Sequence, residues 1–210
     1  WVNLRRSFFL YYGGSKMKKT IFNTKLTKDN EALRDYIIRE INKYCNMPKS
    51  KLLDIGCGNG RFGKLLHNYV KSYYGTDPDK KYIEIAKKDA KTIKNIKYKL
   101  GKAEKIPFKE TFDIIIYSFS WHFIKNYHEA LKELDRVSTK DGLIVILEPS
   151  LLPRGYKDQR LNADSKEFDK RLWNKKLKQL KNAKSVIENQ KRFKILEFES
   201  KRINLWVLKK

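Results

Sequence analysis

The sequence predicts an α/β domain built on a doubly wound, mostly parallel seven-stranded sheet that ends in an antiparallel hairpin. Short apolar runs alternate with amphipathic segments through the middle of the chain, and a glycine-rich turn follows the first of these runs. Strands that alternate with helices along a chain form parallel sheets. The last two apolar runs are separated by only two residues, which predicts a hairpin instead of another strand–helix unit.

The predicted elements follow in order along the chain. Residues 29–45 are expected to form an amphipathic helix with Leu33, Ile37, Ile41 and Tyr44 on one face. The later helices are expected over residues 60–69, 79–92 and 127–138, and residues 165–190 are expected to form a long basic helix or a helix pair. The strands are expected over residues 51–55, 72–76, 96–100, 112–117, 142–148, 194–200 and 203–209.

The run from residue 52 to residue 60 carries the strongest functional signal. Its apolar start ends in Asp54, and Gly56, Gly58 and Gly60 then alternate with other residues. A strand, a glycine turn and a helix in this order bring backbone N–H groups and a helix N-terminus close to a ligand. The second predicted strand ends in another acid, Asp77, at a point where an acid commonly binds the ribose hydroxyls of an adenosine cofactor.

Two cofactors compete for this pattern. The stretch from Gly58 to Gly63 also spells G-x-G-x-x-G, and Asp77 follows about 20 residues later, as a dinucleotide fingerprint requires. A dinucleotide-binding strand, however, stays apolar up to its first glycine, whereas Asp54 and Gly56 precede Gly58 here. A third interpretation, a turn that binds nothing, is disfavoured because three glycines cost conformational entropy that packing seldom offsets.

The pattern Asp-x-Gly-x-Gly-x-Gly resembles the first motif of the class I S-adenosylmethionine-dependent methyltransferases, in which the acid faces the amino-acid end of the cofactor. Further blocks similar to that family occur in its order at residues 101–108, 111–124, 129–137 and 141–149, and the nearest subgroup is the type 11 methyltransferase domain. The resemblance implies a Rossmann-like methyltransferase fold with S-adenosyl-L-methionine as cofactor. The implied cofactor-binding residues are Asp54, Gly56, Cys57, Gly58, Gly60, Asp77, Pro78, Ala103, Glu104 and Ser118.

One residue departs from the family's pattern at the adenine end. The resemblance implies that Ala103 and its neighbours border the adenine, and the family usually has Asp before this alanine to accept from the adenine amine. This chain has Lys102 instead. A lysine ammonium cannot accept a hydrogen bond, so Glu104 or the backbone must do so, or the contact is absent. We expect the adenine to lie against Ile106 and Phe108, with Lys102 turned away from the amine.

His122 is the candidate catalytic residue. It follows the fourth predicted strand, where an open α/β sheet places its ligand crevice, and it matches a position that is often His in the type 11 subgroup. Its imidazole could take a proton from an oxygen or nitrogen nucleophile. The alternative is a supporting role, in which His122 hydrogen-bonds locally and holds the loop. No metal site is expected, because the two cysteines and three histidines show no metal-ligand spacing.

The formal net charge of +24 is relevant to the class of molecule that the protein binds. Residues 51–149 carry 19 basic and 13 acidic side chains, an excess of six, so 18 of the 24 excess charges lie outside this segment. A basic surface attracts RNA, but solvated lysines without a specific partner explain the charge as well. We expect a methyltransferase with a small-molecule acceptor. The alternatives are a tRNA or rRNA methyltransferase, a methyltransferase fold that binds without turnover, and an NAD-dependent oxidoreductase.

The chain has two candidate start points. It begins with Trp1, whereas Met17 followed by two lysines is typical of a natural start. We expect residues 1–16 to be a non-native or disordered extension and residues 17–210 to form a single methyltransferase domain. No apolar run approaches the roughly 20 residues that span a bilayer, and the cysteine usage is typical of a reducing compartment. We expect a cytoplasmic monomer that does not enter membranes.

Overall fold

The computed structural model describes residues 28–149, 170–200 and 203–210. The expectation for residues 1–16 and the start of the helix predicted over residues 165–190 lie outside this part of the chain. The described strands are β1 (Lys51–Ile55), β2 (Ser72–Asp77), β3 (Ile96–Leu100), β4 (Phe112–Ser118), β5 (Ser138–Pro149), β6 (Lys194–Ser200) and β7 (Ile203–Lys209). The described α-helices are α1 (Lys28–Asn42), α2 (Arg61–Leu66), α3 (Lys80–Asp89), α4 (Tyr127–Val137) and α5 (Lys170–Asn189).

The strands form one sheet in the order β3-β2-β1-β4-β5-β7-β6. The first five strands pair in parallel, and β7 pairs antiparallel with both β5 and β6. The predicted fold class is therefore confirmed, including the antiparallel pair that closes it. Because β1 lies between β2 and β4, the carboxyl ends of β1 and β4 meet at the switch point where open α/β sheets bind their ligands.

Apolar clusters cover both faces of the central strands. Along β1, Leu52 packs into one cluster and Leu53 into the other, and along β4 the neighbours Ile114 and Ile115 divide in the same way. Side chains that alternate between the two faces of a sheet produce this division. Both strands are thus buried on two sides, and this packing fixes the positions of their carboxyl ends.

The first helix differs from the prediction at its end. Leu33, Ile37 and Ile41 are buried as expected, but Tyr44 is 40% exposed. The helix stops two residues before Tyr44, whose hydroxyl donates to the Glu197 carboxylate at 2.9 Å. The expectation that Tyr44 shares the buried face is wrong, because the helical period ends before this residue is reached.

The helix predicted over residues 60–69 also ends early. The helix α2 stops after six residues and a 3₁₀ turn follows. A longer α-helix would use the N–H of Lys71 to satisfy the carbonyl of His67. That carbonyl instead accepts from the Asn95 side chain at 2.7 Å, and the N–H of Lys71 donates to the carbonyl of Ser50 at 3.0 Å. Hydrogen bonds from distant segments therefore end the helix.

Candidate functional site

A cavity of about 450 Å³ lies at the carboxyl ends of β1, β2 and β4, a volume typical of small-molecule sites. Three stretches of chain that the sequence analysis singled out meet in its wall: the glycine turn, the acid that ends β2, and the segment after β4. Eight of the ten expected cofactor residues line it, namely Gly56, Cys57, Gly58, Asp77, Pro78, Ala103, Glu104 and Ser118. Asp54, Gly60 and His122 are not part of the cavity wall.

The turn after β1, residues 56–60, is called the first turn. Gly56, Gly58 and Gly60 have φ angles of 78°, 53° and 81°. These angles lie in the left-handed region, which glycine adopts freely and a residue with a Cβ does not. The alternation of glycines in the sequence is therefore a requirement of the backbone of this turn.

The first turn is held by backbone contacts with its neighbours. The N–H groups of Gly56 and Cys57 both donate to the carbonyl of Thr76, at 2.8 and 3.0 Å. A Cβ on Gly56 would lie 2.4 Å from the Cβ of Ser120. Because Gly56 has no side chain, the turns after β1 and β4 can approach each other at the bottom of the cavity.

Asp77 connects the first turn with the end of β2. Its Oδ2 accepts the N–H of Gly58 and its Oδ1 accepts the N–H of Asp79, each at 2.9 Å. Burial raises the pKa of Asp77, and the two backbone N–H groups oppose that rise. Each carboxylate oxygen carries two lone pairs, so the carboxylate retains acceptor capacity toward the cavity that it lines.

Asp54 lies beneath the first turn, fully buried. The hydroxyl of Tyr73 donates to its Oδ2 at 2.5 Å, and its Oδ1 has no hydrogen-bond partner among the described residues. Burial raises the pKa of Asp54 to about 7. Gly60 also lies below the cavity wall, where a Cβ would lie 2.6 Å from the hydroxyl of Tyr98.

The turn after β4, residues 118–123, is called the second turn. Phe119 has a φ of 59°, a conformation that is costly for a bulky side chain. Its N–H donates to the carbonyl of Leu147 at 2.8 Å, and the hydroxyl of Ser120 donates to the carbonyl of Ile55 at 2.6 Å. Contacts with β1 and β5 thus hold the second turn in a conformation that its own residues do not favour.

His122 belongs to the second turn, and it points away from the cavity. Its side chain is fully buried, with Nδ1 2.5 Å from Oε2 of Glu148. The other oxygen of Glu148 accepts the backbone N–H of His122 at 3.3 Å. One carboxylate therefore fixes both the ring and the backbone of the histidine. Sequence reasoning missed Glu148, although an acid inside the apolar run of the fifth strand was a visible signal.

Ala103 and Glu104 line the far end of the cavity together with Lys102. The Oε1 of Glu104 accepts the N–H groups of Lys125 and Asn126 at 3.1 and 3.3 Å. Burial alone would raise the pKa of Glu104, but backbone N–H groups outweigh it and the pKa is lowered. Glu104 is thus an ionised acceptor whose position is set by the segment after the second turn.

Two residues expected at the adenine lie elsewhere. Ile106 and Phe108 are buried in the apolar cluster on one face of the sheet and do not line the cavity. The N–H of Ile106 donates to Glu133 at 2.7 Å, which turns this stretch toward α4. The expectation that the adenine lies against these two side chains disagrees with the position of the cavity, because the chain leaves the cavity immediately after Glu104.

Several residues of the cavity wall were not predicted as ligand contacts. They are Asn59, Arg61, Phe62, Asp79, Tyr82, Tyr117, Phe123 and Ile124. Most lie beside a predicted residue in the sequence, so the motif marked their neighbourhood. Tyr82 is an exception, since it reaches the cavity from the first turn of α3, and only the placement of that helix brings it there.

The described residues contain no group of three or more His, Cys, Asp or Glu side chains arranged to hold a metal ion. Among the helices within the described ranges, none combines the length and the apolar character that crossing a membrane requires.

Residues 53–146 match a family of known proteins that is described as a methyltransferase domain. The chain is 33% identical over 115 residues to the ubiquinone biosynthesis O-methyltransferase of Pelagibacter ubique, covering 54% of this chain and 47% of that protein. It is 33% identical over 104 residues to the demethylmenaquinone methyltransferase of Staphylococcus aureus, covering 48% of this chain and 43% of that protein. The matches span less than half the length of these curated relatives.

A solved structure of a Pyrococcus horikoshii protein aligns with a TM-score of 0.67 at 18% identity, covering 94% of this chain and 99% of that one. At this level of identity the likeness concerns the fold alone.

Proposed function

The chain carries a class I methyltransferase domain of the type 11 family, and from that premise we propose that it is an S-adenosylmethionine-dependent methyltransferase acting on a small molecule. When bound, the cofactor supplies a sulfonium methyl group for in-line displacement. The task of the protein is then to bind and orient the two reactants. The observation that carries the proposal is that the glycine turn, Asp77 and Ser118 share one cavity at the switch point of the sheet.

The residues of the cavity fit the groups of this cofactor. The carboxylate of Asp77 has lone pairs left for ribose hydroxyls after its two backbone bonds. The hydroxyl of Ser118 is buried and has no hydrogen-bond partner among the described residues, so it is available to a polar group of the ligand. A Cβ on Gly58 would meet no protein atom within 4 Å, which leaves the backbone of the first turn open to a ligand.

In this proposal Asp54 and His122 do not line the cavity and instead support the residues that do. Asp54 supports the first turn, where the amino-acid end of the cofactor is expected. His122 fits the supporting alternative better than a catalytic one, since its buried ring is bound to Glu148 and does not line the cavity. In this proposal the main task of the protein is therefore to bind and orient the two reactants.

The names of two relatives, which describe a ubiquinone biosynthesis O-methyltransferase and a demethylmenaquinone methyltransferase, support a small-molecule acceptor. An RNA acceptor is the second candidate, because the net charge of +24 would attract phosphates. The monomeric state and the cytoplasmic location stay predictions.

Calorimetry tests the cofactor assignment. S-adenosylhomocysteine should release heat on binding, while NAD should release none. Asp77→Ala should weaken binding by roughly 1–3 kcal/mol, because it removes a buried acceptor. Asp89→Ala is the control, since Asp89 pairs with Lys64 at 2.6 Å outside the cavity wall. Heat with NAD and none with S-adenosylhomocysteine would overturn the proposal.

Turnover tests the acceptor. The protein is incubated with methyl-labelled S-adenosylmethionine and either a lipid-soluble metabolite extract or total cellular RNA. Label in the extract supports the proposed acceptor class. Stoichiometric label in tRNA or rRNA would replace it with the RNA alternative. Binding of the cofactor without label in either fraction would favour a fold that binds without turnover.

A further inference from the structure

Tyr117 contributes a buried hydroxyl group to the cavity wall that the motif does not explain. The residue is fully buried at the end of β4 and lines the cavity. Its ring packs edge-on against Trp121, with centroids 4.8 Å apart. The hydroxyl has no hydrogen-bond partner among the described residues. A buried hydroxyl without a partner is unfavourable, so this group calls for a ligand that pairs with it.

The position of Tyr117 indicates which end of the cavity it serves. Its ring belongs to the same apolar cluster as Ala103, the residue that the family resemblance places beside the adenine. Burial raises the pKa of Tyr117, and the negative charges of Glu104 and Glu133 add to the effect. Tyr117 therefore stays a neutral phenol close to Glu104, able both to donate and to accept a hydrogen bond.

The adenine end of the cavity lacks the usual acceptor for an amine. Lys102 stands where the resemblance implies an aspartate, and its ammonium has only donors. Glu104 is an ionised acceptor on the same wall, with two backbone N–H groups already bound at its Oε1 and with its Oε2 still able to accept. A neutral hydroxyl on the same wall can take over the role of the missing aspartate.

Ser118 is the other buried hydroxyl of the wall without a partner among the described residues. Consecutive side chains of a strand point to opposite faces. Tyr117 packs in the apolar cluster on one face of the sheet, so this alternation turns the side chain of Ser118 toward the other face. Ser118 therefore serves a different part of the ligand.

We infer that the hydroxyl of Tyr117 accepts the exocyclic amine of the adenine and so selects an adenosine cofactor in place of the usual aspartate. This inference rests on the proposed function, because it requires the cavity to bind S-adenosylmethionine or its demethylated product.

Calorimetry with two ligands tests the inference. One ligand is S-adenosylhomocysteine, and the other is the same molecule built on purine riboside, which lacks only the exocyclic amine. The wild-type protein should bind the adenosine form at least tenfold more tightly. In Tyr117→Phe this preference should fall at least fivefold, through weaker binding of the adenosine form alone. Tyr74→Phe, which removes a hydroxyl from the same cluster outside the cavity wall, should keep the wild-type preference.

Thermal melting of the ligand-free proteins gives an independent readout. Phenylalanine keeps the ring of residue 117 and removes a hydroxyl that lacks a partner, so Tyr117→Phe should melt at or above the wild-type temperature. A lower melting temperature would mean that the hydroxyl is paired in the free protein and would overturn the inference. An unchanged ligand preference in Tyr117→Phe would also overturn it. If the wild-type protein binds neither ligand, the proposed function itself fails.

Discussion

The two turns that bound the cavity are built in opposite ways. The first turn takes its left-handed angles at three glycines, where this conformation costs little. The second turn places Phe119 in the same region of backbone space, at a cost on the order of 1–3 kcal/mol. The first turn is thus relaxed by its own composition, whereas the second is strained and must be held by other parts of the fold.

The bonds that hold the second turn come from far along the chain. Ser120 donates to Ile55, Phe119 donates to Leu147, and the ring of His122 lies against Glu148. A turn that is specified by its own residue types can be recognised in a sequence, because the requirement is local. A turn that is specified by remote partners has no local signature, and the conformation of Phe119 could not be predicted.

The largest effect is expected where the two turns touch. Gly56→Ala would place a Cβ 2.4 Å from the Cβ of Ser120 at a φ of 78°, which adds steric overlap to backbone strain. The free energy of unfolding should fall by more than about 4 kcal/mol, an exceptional loss for one methyl group. Urea unfolding followed by circular dichroism measures it.

A second substitution separates contact from strain in this prediction. Ser120→Gly removes the two nearest side-chain atoms that the new methyl group would meet. The double variant Gly56→Ala, Ser120→Gly should therefore be more stable than the sum of the two single effects predicts, by at least about 1 kcal/mol. Additive effects would show that the close approach of the turns does not govern the cost.

Asp54 tests whether the first turn depends on a buried acid beneath it. Its pKa is about 7 in the folded chain, against about 4 for an unfolded aspartate. The folded state thus retains a proton that the unfolded chain loses, so stability falls as pH rises from about 4 to about 7 and stays low above that. Three pKa units correspond to about 4 kcal/mol, an upper bound for this contribution.

Asp54→Asn should remove this pH dependence. The amide oxygen of asparagine can still accept the Tyr73 hydroxyl, but it does not titrate. Relative to the wild-type protein, the variant should be about 1 kcal/mol more stable at pH 5 and about 2–4 kcal/mol more stable at pH 8. Asp89→Asn, at a partly exposed ion pair, should leave the fall in place. An equal gain from Asp54→Asn at both pH values would contradict the assigned titration.

The second turn should loosen when its partner in β5 is removed. Glu148→Ala removes the carboxylate that accepts the backbone N–H of His122 and lies against its buried ring. The cost should be about 2–3 kcal/mol in unfolding free energy. Glu148→Gln keeps an acceptor oxygen and should recover at least half of the loss. If both variants are equally unstable, packing and not hydrogen bonding accounts for the role of Glu148.

The contrast between a turn specified by its own residues and a turn specified by remote partners explains which parts of the site could be predicted from the sequence. The alternation of strands and helices, the glycine turn and the place of Asp77 followed from sequence periodicity, from backbone requirements and from a family resemblance, all of which are local in the chain. The pairing of His122 with Glu148 could not be predicted, because it depends on the register between β4 and β5. Tyr82 reached the cavity through the placement of α3, which no pattern within that helix encodes.

Gly58→Ala should have the smallest effect on stability. It distinguishes the backbone strain of the first turn from the contribution of this turn to ligand binding. The new Cβ would meet no protein atom within 4 Å, so only strain at a φ of 53° remains. That strain should cost about 1 kcal/mol. Gly58 lines the cavity, however, and a methyl group there should weaken the binding of S-adenosylhomocysteine at least tenfold.

Gly58→Asn should be less destabilising than Gly58→Ala but should weaken binding further. Asparagine tolerates left-handed angles, but its side chain fills more of the cavity. If Gly58→Ala lost as much stability as Gly56→Ala, strain would govern both positions, and the contact between the two turns would no longer explain why the first turn needs glycine at residue 56.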